Sequence, residues 1–256
     1  MTVAMDVLRG RVAIVTGGSK GLGLAMAGGL LRAGASIAVA ARNGEAAEAA
    51  AVALRALGGE AMSAACDVRL ESDVDALVEA TVKRFGRLDI VVNNAGINIR
   101  KAPQELSLEE WRAVLDTNLT GALLGARAAY PHLKKEGGGK IINVGSMFSI
   151  FGASYAAAYA ASKGGLVSLT KSLAVAWAPD NIQVNAVLPG WIDTDLTRRS
   201  REEVPGLADR VVARTPAGRW GKPEDLAGVA VFLASGASDF ITGAAIPVDG
   251  GYSVLG

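Results

Sequence analysis

Short runs of β-branched and small apolar residues alternate along this chain with longer stretches in which Ala and Leu recur at helical spacing. Val12–Thr16 is the first such run. It passes through Gly17-Gly18-Ser19-Lys20-Gly21 into a predicted helix over Leu22–Ala33, which Gly34 closes. Ser36–Ala41 reads as a second strand, followed by a helix over Ala46–Leu57 and a third strand ending at Cys66. A helix over Glu71–Phe85 precedes a fourth strand at Leu88–Val92. Ser107-Leu108-Glu109-Glu110 has the form of a capping box, and the helix it opens is expected to carry Asn118 along its length. Lys140–Val144, Ile182–Leu188 and Ala245–Val248 complete seven strands. The helix bearing Tyr159 is expected to run to about Ala178, where Pro179-Asp180 ends it.

This alternation predicts right-handed crossovers and an α/β fold: one doubly wound domain, with helices on both faces of a seven-stranded parallel sheet. No internal repeat or linker divides the 256 residues, so the whole chain, 1–256, reads as one domain. Ligands of such sheets bind beyond the carboxyl ends of the strands. The residues there are Gly17, Arg42, Asp67, Asn94, Ser146 and Pro189-Gly190. Glycines in the first turn allow a pyrophosphate to approach main-chain N–H groups at a helix N-terminus, where the dipole also favours an anion.

Half of the residues are hydrophobic and only 5% aromatic, as suits a buried sheet covered by small-residue helices. The formal charge of +1 comes without a basic block, which gives nucleic-acid binding no support. Cys66, the single cysteine, suits a reducing compartment and reads as a small buried residue; His132 has no companion ligands, so no metal site is expected. Met1–Gly10 lacks the apolar core of a signal peptide, and a cytoplasmic location is expected. Residues 141–162 carry no charge and are long enough to span a bilayer. Asn143, Gly145, Ser146, Ser149, Gly152 and Ser154 interrupt them, and an active-site wall is expected there instead.

Tyr159 and Lys163 stand four positions apart on one helix face, so the ammonium is expected to lower the phenol's pKa towards a range useful for proton transfer. Together, Thr16-Gly17-x-x-x-Gly21-x-Gly23, Asn93-Asn94-Ala95-Gly96, Asn118, Ser146, Tyr159 and Lys163 resemble the classical short-chain dehydrogenase/reductase family, with every element in order. The resemblance runs from the first strand to Val248-Asp249-Gly250-Gly251 and implies a Rossmann fold that binds a nicotinamide dinucleotide.

The resemblance implies catalytic roles for four residues. Tyr159 would be general acid in carbonyl reduction and general base in alcohol oxidation. Lys163 would tune it and hold the nicotinamide ribose, Ser146 would bind the substrate oxygen, and Asn118 would support a water-linked proton path to Lys163. Gly17, Ser19, Lys20, Gly21, Leu22 and Gly23 would cradle the cofactor; Asp67 and Val68 would meet its adenine; Asn94, Ala95 and Gly96 would face its ribose and nicotinamide; Pro189, Gly190, Ile192 and Thr194 would grip the carboxamide side. An NAD-preferring site puts an acid at the end of the second strand, whereas here Ala40-Ala41-Arg42-Asn43 has no carboxylate before Glu45. Arg42 and Lys20 thus match the family's NADP pattern, making NADP(H) the expected cofactor with NAD(H) possible.

Residues 195–220, with six arginines against Glu202, Glu203 and Asp209, read as a solvated helical lid over the substrate. Arg100, Ser146, Met147, Phe148 and Tyr159 are the substrate-side candidates. The stretches around Asn98-Ile99-Arg100 and Ser146–Ser149 look like the gluconate and deoxygluconate dehydrogenases, in which Arg100 would hold a carboxylate. A 3-oxoacyl-[acyl-carrier-protein] reductase is the competing reading, with Arg100 then an ordinary loop cation. A non-catalytic dinucleotide sensor or a purely structural oligomer is disfavoured, because neither Tyr159 nor Lys163 is lost. A homotetramer is expected from the family and from the alanine-rich helix beginning near Ala156.

Overall fold

The computed structural model describes residues 6–255, so the expectation for Met1–Gly10 falls partly on residues 1–5, outside the described residues. Seven strands form one parallel sheet in the order β3-β2-β1-β4-β5-β6-β7. They are β1 (Val12–Thr16), β2 (Ser36–Ala41), β3 (Ala61–Ala65), β4 (Ile90–Asn93), β5 (Gly139–Val144), β6 (Ile182–Pro189) and β7 (Ala245–Val248). The helices are α1 (Gly21–Arg32), α2 (Gly44–Arg55), α3 (Glu71–Phe85), α4 (Leu108–Leu115), α5 (Gly121–Lys135), α6 (Ala157–Trp177), α7 (Asp195–Glu203), α8 (Leu207–Arg214) and α9 (Ala227–Ala234).

Side chains alternate across the sheet and build two cores. Ala13, Val15, Ile37, Val39 and Ile142 meet Met26 and Leu30 of α1, Leu54 of α2 and Leu233 of α9. On the opposite face Ile14, Ala38, Val91, Ile141 and Val184 meet Leu77 of α3, Leu124 of α5 and Leu173 of α6. Burial on both faces explains why the strands read as continuous apolar runs.

Helix ends follow local chemistry. Asn43 caps α2 through Ala46 N–H, and Ser107 and Glu110 form a full capping box on α4. Gly86, left-handed at φ 84°, ends α3. The helical path after Ser107 carries Asn118 as expected, but it is not α-helical throughout. A π turn at Asp116–Thr120 separates α4 from α5, and Asn118 lies in it. Close packing accompanies the break, since a Cβ on Gly121 would come within 2.8 Å of Val68 Cγ2.

Asp89 ties the amino ends of β1 and β4 together. Only 2% exposed, it accepts from Val12 N–H at 2.9 Å, from Arg11 at 2.7 Å and from Arg87 at 2.8 and 2.6 Å. Burial pulls its carboxyl upward, but the two guanidinium groups and the backbone donor outweigh it and hold the pKa below the ordinary 3.8. Such a group stabilises the fold above its unfolded pKa, and the contribution is lost as pH falls through the depressed folded value. Asp89→Ala is expected to cost about 2 kcal/mol in urea unfolding at pH 7. The gap to wild type should shrink below about pH 4; a gap constant down to pH 3 would contradict this role.

Candidate active site

Beyond the carboxyl ends of the strands lies a cleft of about 780 Å³. Its floor is the turn from β1 into α1. Gly17 and Gly21 adopt φ of 61° and 55°, and a Cβ on Gly17 would sit 2.9 Å from both Ala95 Cα and Asn94 Nδ2. A Cβ on Gly23 would come within 2.5 Å of the same Asn94 nitrogen. Asn94 Nδ2 donates to Thr16 O and Gly17 O, each at 3.0 Å, while Thr16 Oγ1 accepts from the N–H groups of Asn94 and Ala95 at 3.1 and 3.2 Å.

Helix α1 begins here with no side-chain cap and no acid in its first turn, unlike the capped α2 and α4. Its free N–H groups and positive dipole end, beside the glycines, fit a pyrophosphate. Gly17, Ser19, Lys20, Gly21 and Leu22 line the cleft, as do Asn94, Ala95 and Gly96. Gly23 lies one step behind, against Gly17 O. On the far wall Pro189, Gly190, Ile192 and Thr194 follow β6. Thr197 Oγ1 braces this segment by donating to Ile192 O and accepting from Thr194 N–H, at 2.5 and 2.9 Å.

Ser146, Tyr159 and Lys163 converge on the same cleft. Ser146 follows β5 in extended backbone. Its hydroxyl accepts from Phe148 N–H at 3.2 Å and lies beside the Tyr159 phenol, whose pKa it draws downward. Ser149 Oγ accepts from Ser146 N–H at 3.2 Å and donates to Lys163 O at 2.9 Å, tying the turn to α6. Phe148 meets the Tyr159 ring edge to face at 6.0 Å, and Met147 is buried in the same turn.

The electrostatics differ from the sequence expectation. Lys163 Nζ lies 5.7 Å from the Tyr159 ring centroid and donates to Val144 O at 2.7 Å. Burial pushes its pKa down to about 8, and burial pushes the Tyr159 phenol up; the Ser146 hydrogen bond and the Arg100 charge pull the phenol the other way without prevailing. Lowering of the phenol by Lys163 is not what this arrangement does, because desolvation dominates both groups.

Asn118 lies beside Lys163, both within 3.6 Å of the position a Cβ on Gly96 would take. At 1% exposure, its Oδ1 accepts from Ile97 N–H at 2.8 Å and its Nδ2 donates to Ile97 O and Ser162 Oγ, each at 3.0 Å. The amide is spent on the loop after β4 and on α6.

Arg42 is exposed after β2; with Asp67 and Val68 it lies outside the cleft lining. Asp67 is paired with Arg69 at 2.5 Å, and Val68 is buried. Cys66 is buried, with its thiol pushed up to about 11 by burial, then by Asp73 and Asp67. His132 approaches Glu79 at 3.4 Å. Among the described residues, no group of three or more His, Cys, Asp and Glu side chains could hold a metal ion.

Helix α7 brings in residues that sequence reasoning missed. Asp195 pairs with Lys20 at 2.8 Å and with Arg198, while Glu203 pairs with Arg100 at 3.2 Å. Arg214 and Tyr252 also line the cleft, so residues 195–220 are not simply a solvated cover. These partners lie 103 to 175 positions apart, beyond any local spacing signal. Asn98 Oδ1 is buried without a hydrogen-bond partner among the described residues.

The family model described as enoyl-(acyl carrier protein) reductase matches residues 17–253. The 2-dehydro-3-deoxy-D-gluconate 5-dehydrogenase of Escherichia coli is 42% identical over 253 residues, covering 98% of this chain and 99% of the relative. The gluconate 5-dehydrogenase of Gluconobacter oxydans is 39% identical, covering 96% of each chain. Among solved structures, a gluconate 5-dehydrogenase from Burkholderia cenocepacia in complex with NADP and tartrate superposes with a TM-score of 0.92 at 40% identity, covering 98% of each chain. By these matches and by its fold, the chain belongs to the short-chain dehydrogenase/reductase family, whose members are oxidoreductases.

Proposed function

We propose that this chain is an NADP(H)-dependent oxidoreductase that interconverts a ketone and a secondary alcohol on a sugar acid or polyol. The observation that carries this reading is the convergence of Ser146, Tyr159 and Lys163 on the cleft that holds the uncapped start of α1. The relatives named for gluconate and deoxygluconate support the substrate class, and the NADP complex supports the cofactor.

When bound, the nicotinamide supplies or accepts the hydride. The Tyr159 hydroxyl gives its proton to the carbonyl oxygen in reduction and takes it back in oxidation, and the Ser146 hydroxyl donates a hydrogen bond to that oxygen. A phenol pushed upward by burial is protonated at neutral pH, the form that reduction needs. Lys163 holds the ribose hydroxyls. Asn118 is a positioning residue that fixes the Ile97 loop and α6. Arg100 is a candidate for the substrate's carboxylate, in competition with Glu203.

Residues 195–220 act as the substrate cover, held across the cleft by the Lys20–Asp195 and Arg100–Glu203 pairs. The assembly is a homotetramer, with exposed Leu123 on α5 and Val175 on α6 available for contacts between copies; a stable monomer in sedimentation would contradict this. The buried free cysteine fits a cytoplasmic setting, and no helix among the described residues is long and apolar enough to cross a membrane.

Tyr159→Phe is expected to lower kcat by about 10²–10⁴-fold while cofactor binding, read by fluorescence, is retained. Near wild-type turnover across the pH range would sink the assignment. For Lys163, burial of the ammonium destabilises the fold below about pH 8. The penalty lifts as pH climbs from about 8 to the ordinary 10.5, because the unfolded chain then binds more protons. Wild type should therefore gain stability relative to Lys163→Met across that window. A flat difference in urea titrations would contradict the depressed value.

Arg42→Ala is expected to raise KM for NADPH by about tenfold or more and to change NADH little, because a charge-assisted bond to the 2′-phosphate is lost. Equal losses for the two cofactors would refute the NADP assignment.

A further inference from the structure

Arg214 ends α8 with its guanidinium carbon 4.6 Å from the Tyr252 ring centroid and 5.3 Å from that of Phe151. Those two rings meet edge to face at 6.4 Å, and all three residues line the cleft. Stacking against aromatic faces orients the planar cation and leaves its N–H edge available for a bidentate acceptor.

The other two guanidinium groups of the cleft lining are already matched. Arg100 is engaged by Glu203, and Arg198 by Asp193 and Asp195. The acids of the cleft wall are likewise taken, Asp193 by Arg198 and Arg201, and Asp195 by Lys20 and Arg198. Among the described residues Arg214 has no carboxylate partner.

Its base is fixed rather than loose. Thr215 Oγ1 donates to Val211 O at 2.6 Å, Ala217 N–H donates to Gly250 O at 3.0 Å, and a Cβ on Gly250 would come within 2.9 Å of Thr215 Cγ2. Phe151 belongs to the segment that starts at Ser146, and its N–H donates to Met147 O at 2.9 Å. The cation therefore stands on the Ser146 side of the cleft without being part of the Ser146–Tyr159 pair. A substrate whose carboxylate is several bonds from its reacting carbon needs a cation so placed.

We propose that Arg214 is a specificity-determining residue that receives the substrate's carboxylate, an inference that rests on the sugar-acid reading. The test compares a keto sugar acid with its methyl ester, using NADPH and the full chain, in wild type, Arg214→Met, Arg214→Lys and Arg100→Ala. Arg214→Met should lower the acid-to-ester ratio of kcat/KM by about tenfold to a hundredfold, mainly through KM for the acid, with Arg214→Lys intermediate. If Arg214→Met folds poorly, Arg214→Gln serves the same comparison. An unchanged ratio, or equal losses on acid and ester, overturns the role of Arg214. A ratio that collapses only in Arg100→Ala also overturns it and assigns the carboxylate to Arg100. Wild type that turns over no carboxylate-bearing ketone overturns this inference and the sugar-acid reading together.

Discussion

The close approach of the first glycine turn to the end of β4 is the constraint on which the cleft depends. β1 and β4 are neighbours in the sheet although two βα units separate them in sequence, and the sheet's winding reverses between them. Thr16 and Asn94 bridge that point with four hydrogen bonds, and the bridge is short enough to leave no room for a Cβ at Gly17 or Gly23. A side chain at either glycine would push the turn off β4. The α1 N-terminus and the loop leading to Asn98 and Arg100 would then lose their common reference.

A second polar chain extends this reference through the sheet. Asn93 Nδ2 donates to Asn143 Oδ1 at 2.9 Å, and Asn143 Nδ2 donates to Thr170 Oγ1 at 2.9 Å, linking β4, β5 and α6 inside an otherwise apolar core. Such buried amides are costly unless paired, so their pairing selects one register among the strands and helix that carry Ser146, Tyr159 and Lys163. Asn118 does the same from the π turn by holding both Ile97 and Ser162.

Much of this was legible in the chain because it is written locally. The seven strands, the alternation of faces and the capping box at Ser107 follow from periodicity and turn chemistry within windows of a few residues. Strand and helix limits moved only slightly, as where β4 starts at Ile90 and ends at Asn93. The π turn was not legible: Asp116-Thr117-Asn118-Leu119-Thr120 is poor in strong helix formers, but weak propensity alone does not separate a π turn from an ordinary stretch of helix. The charge pattern of the cleft escaped as well. Lys20 and Arg100 are cations in the sequence, but Asp195 and Glu203 reach them only after the chain has folded. The upward shift of the Tyr159 phenol was not legible because spacing reports proximity and says nothing of desolvation, the larger effect here.

These departures share a direction. An uncapped helix start, a buried ammonium bonded to a backbone carbonyl and an orphaned amide oxygen are each unfavourable to the fold by itself. Such costs also occur away from the cleft, where Asn93 Oδ1 is buried without a partner and α3 and α8 start without a side-chain cap, while α2, α4 and Asp89 are fully provided for. The start of α1, Lys163 and Asn98 nevertheless gather around one cleft, where an anion would meet the helix start and ribose hydroxyls the ammonium. A ligand that met the helix start and the ammonium would stabilise the fold by its own binding free energy, so affinity and stability would rise together.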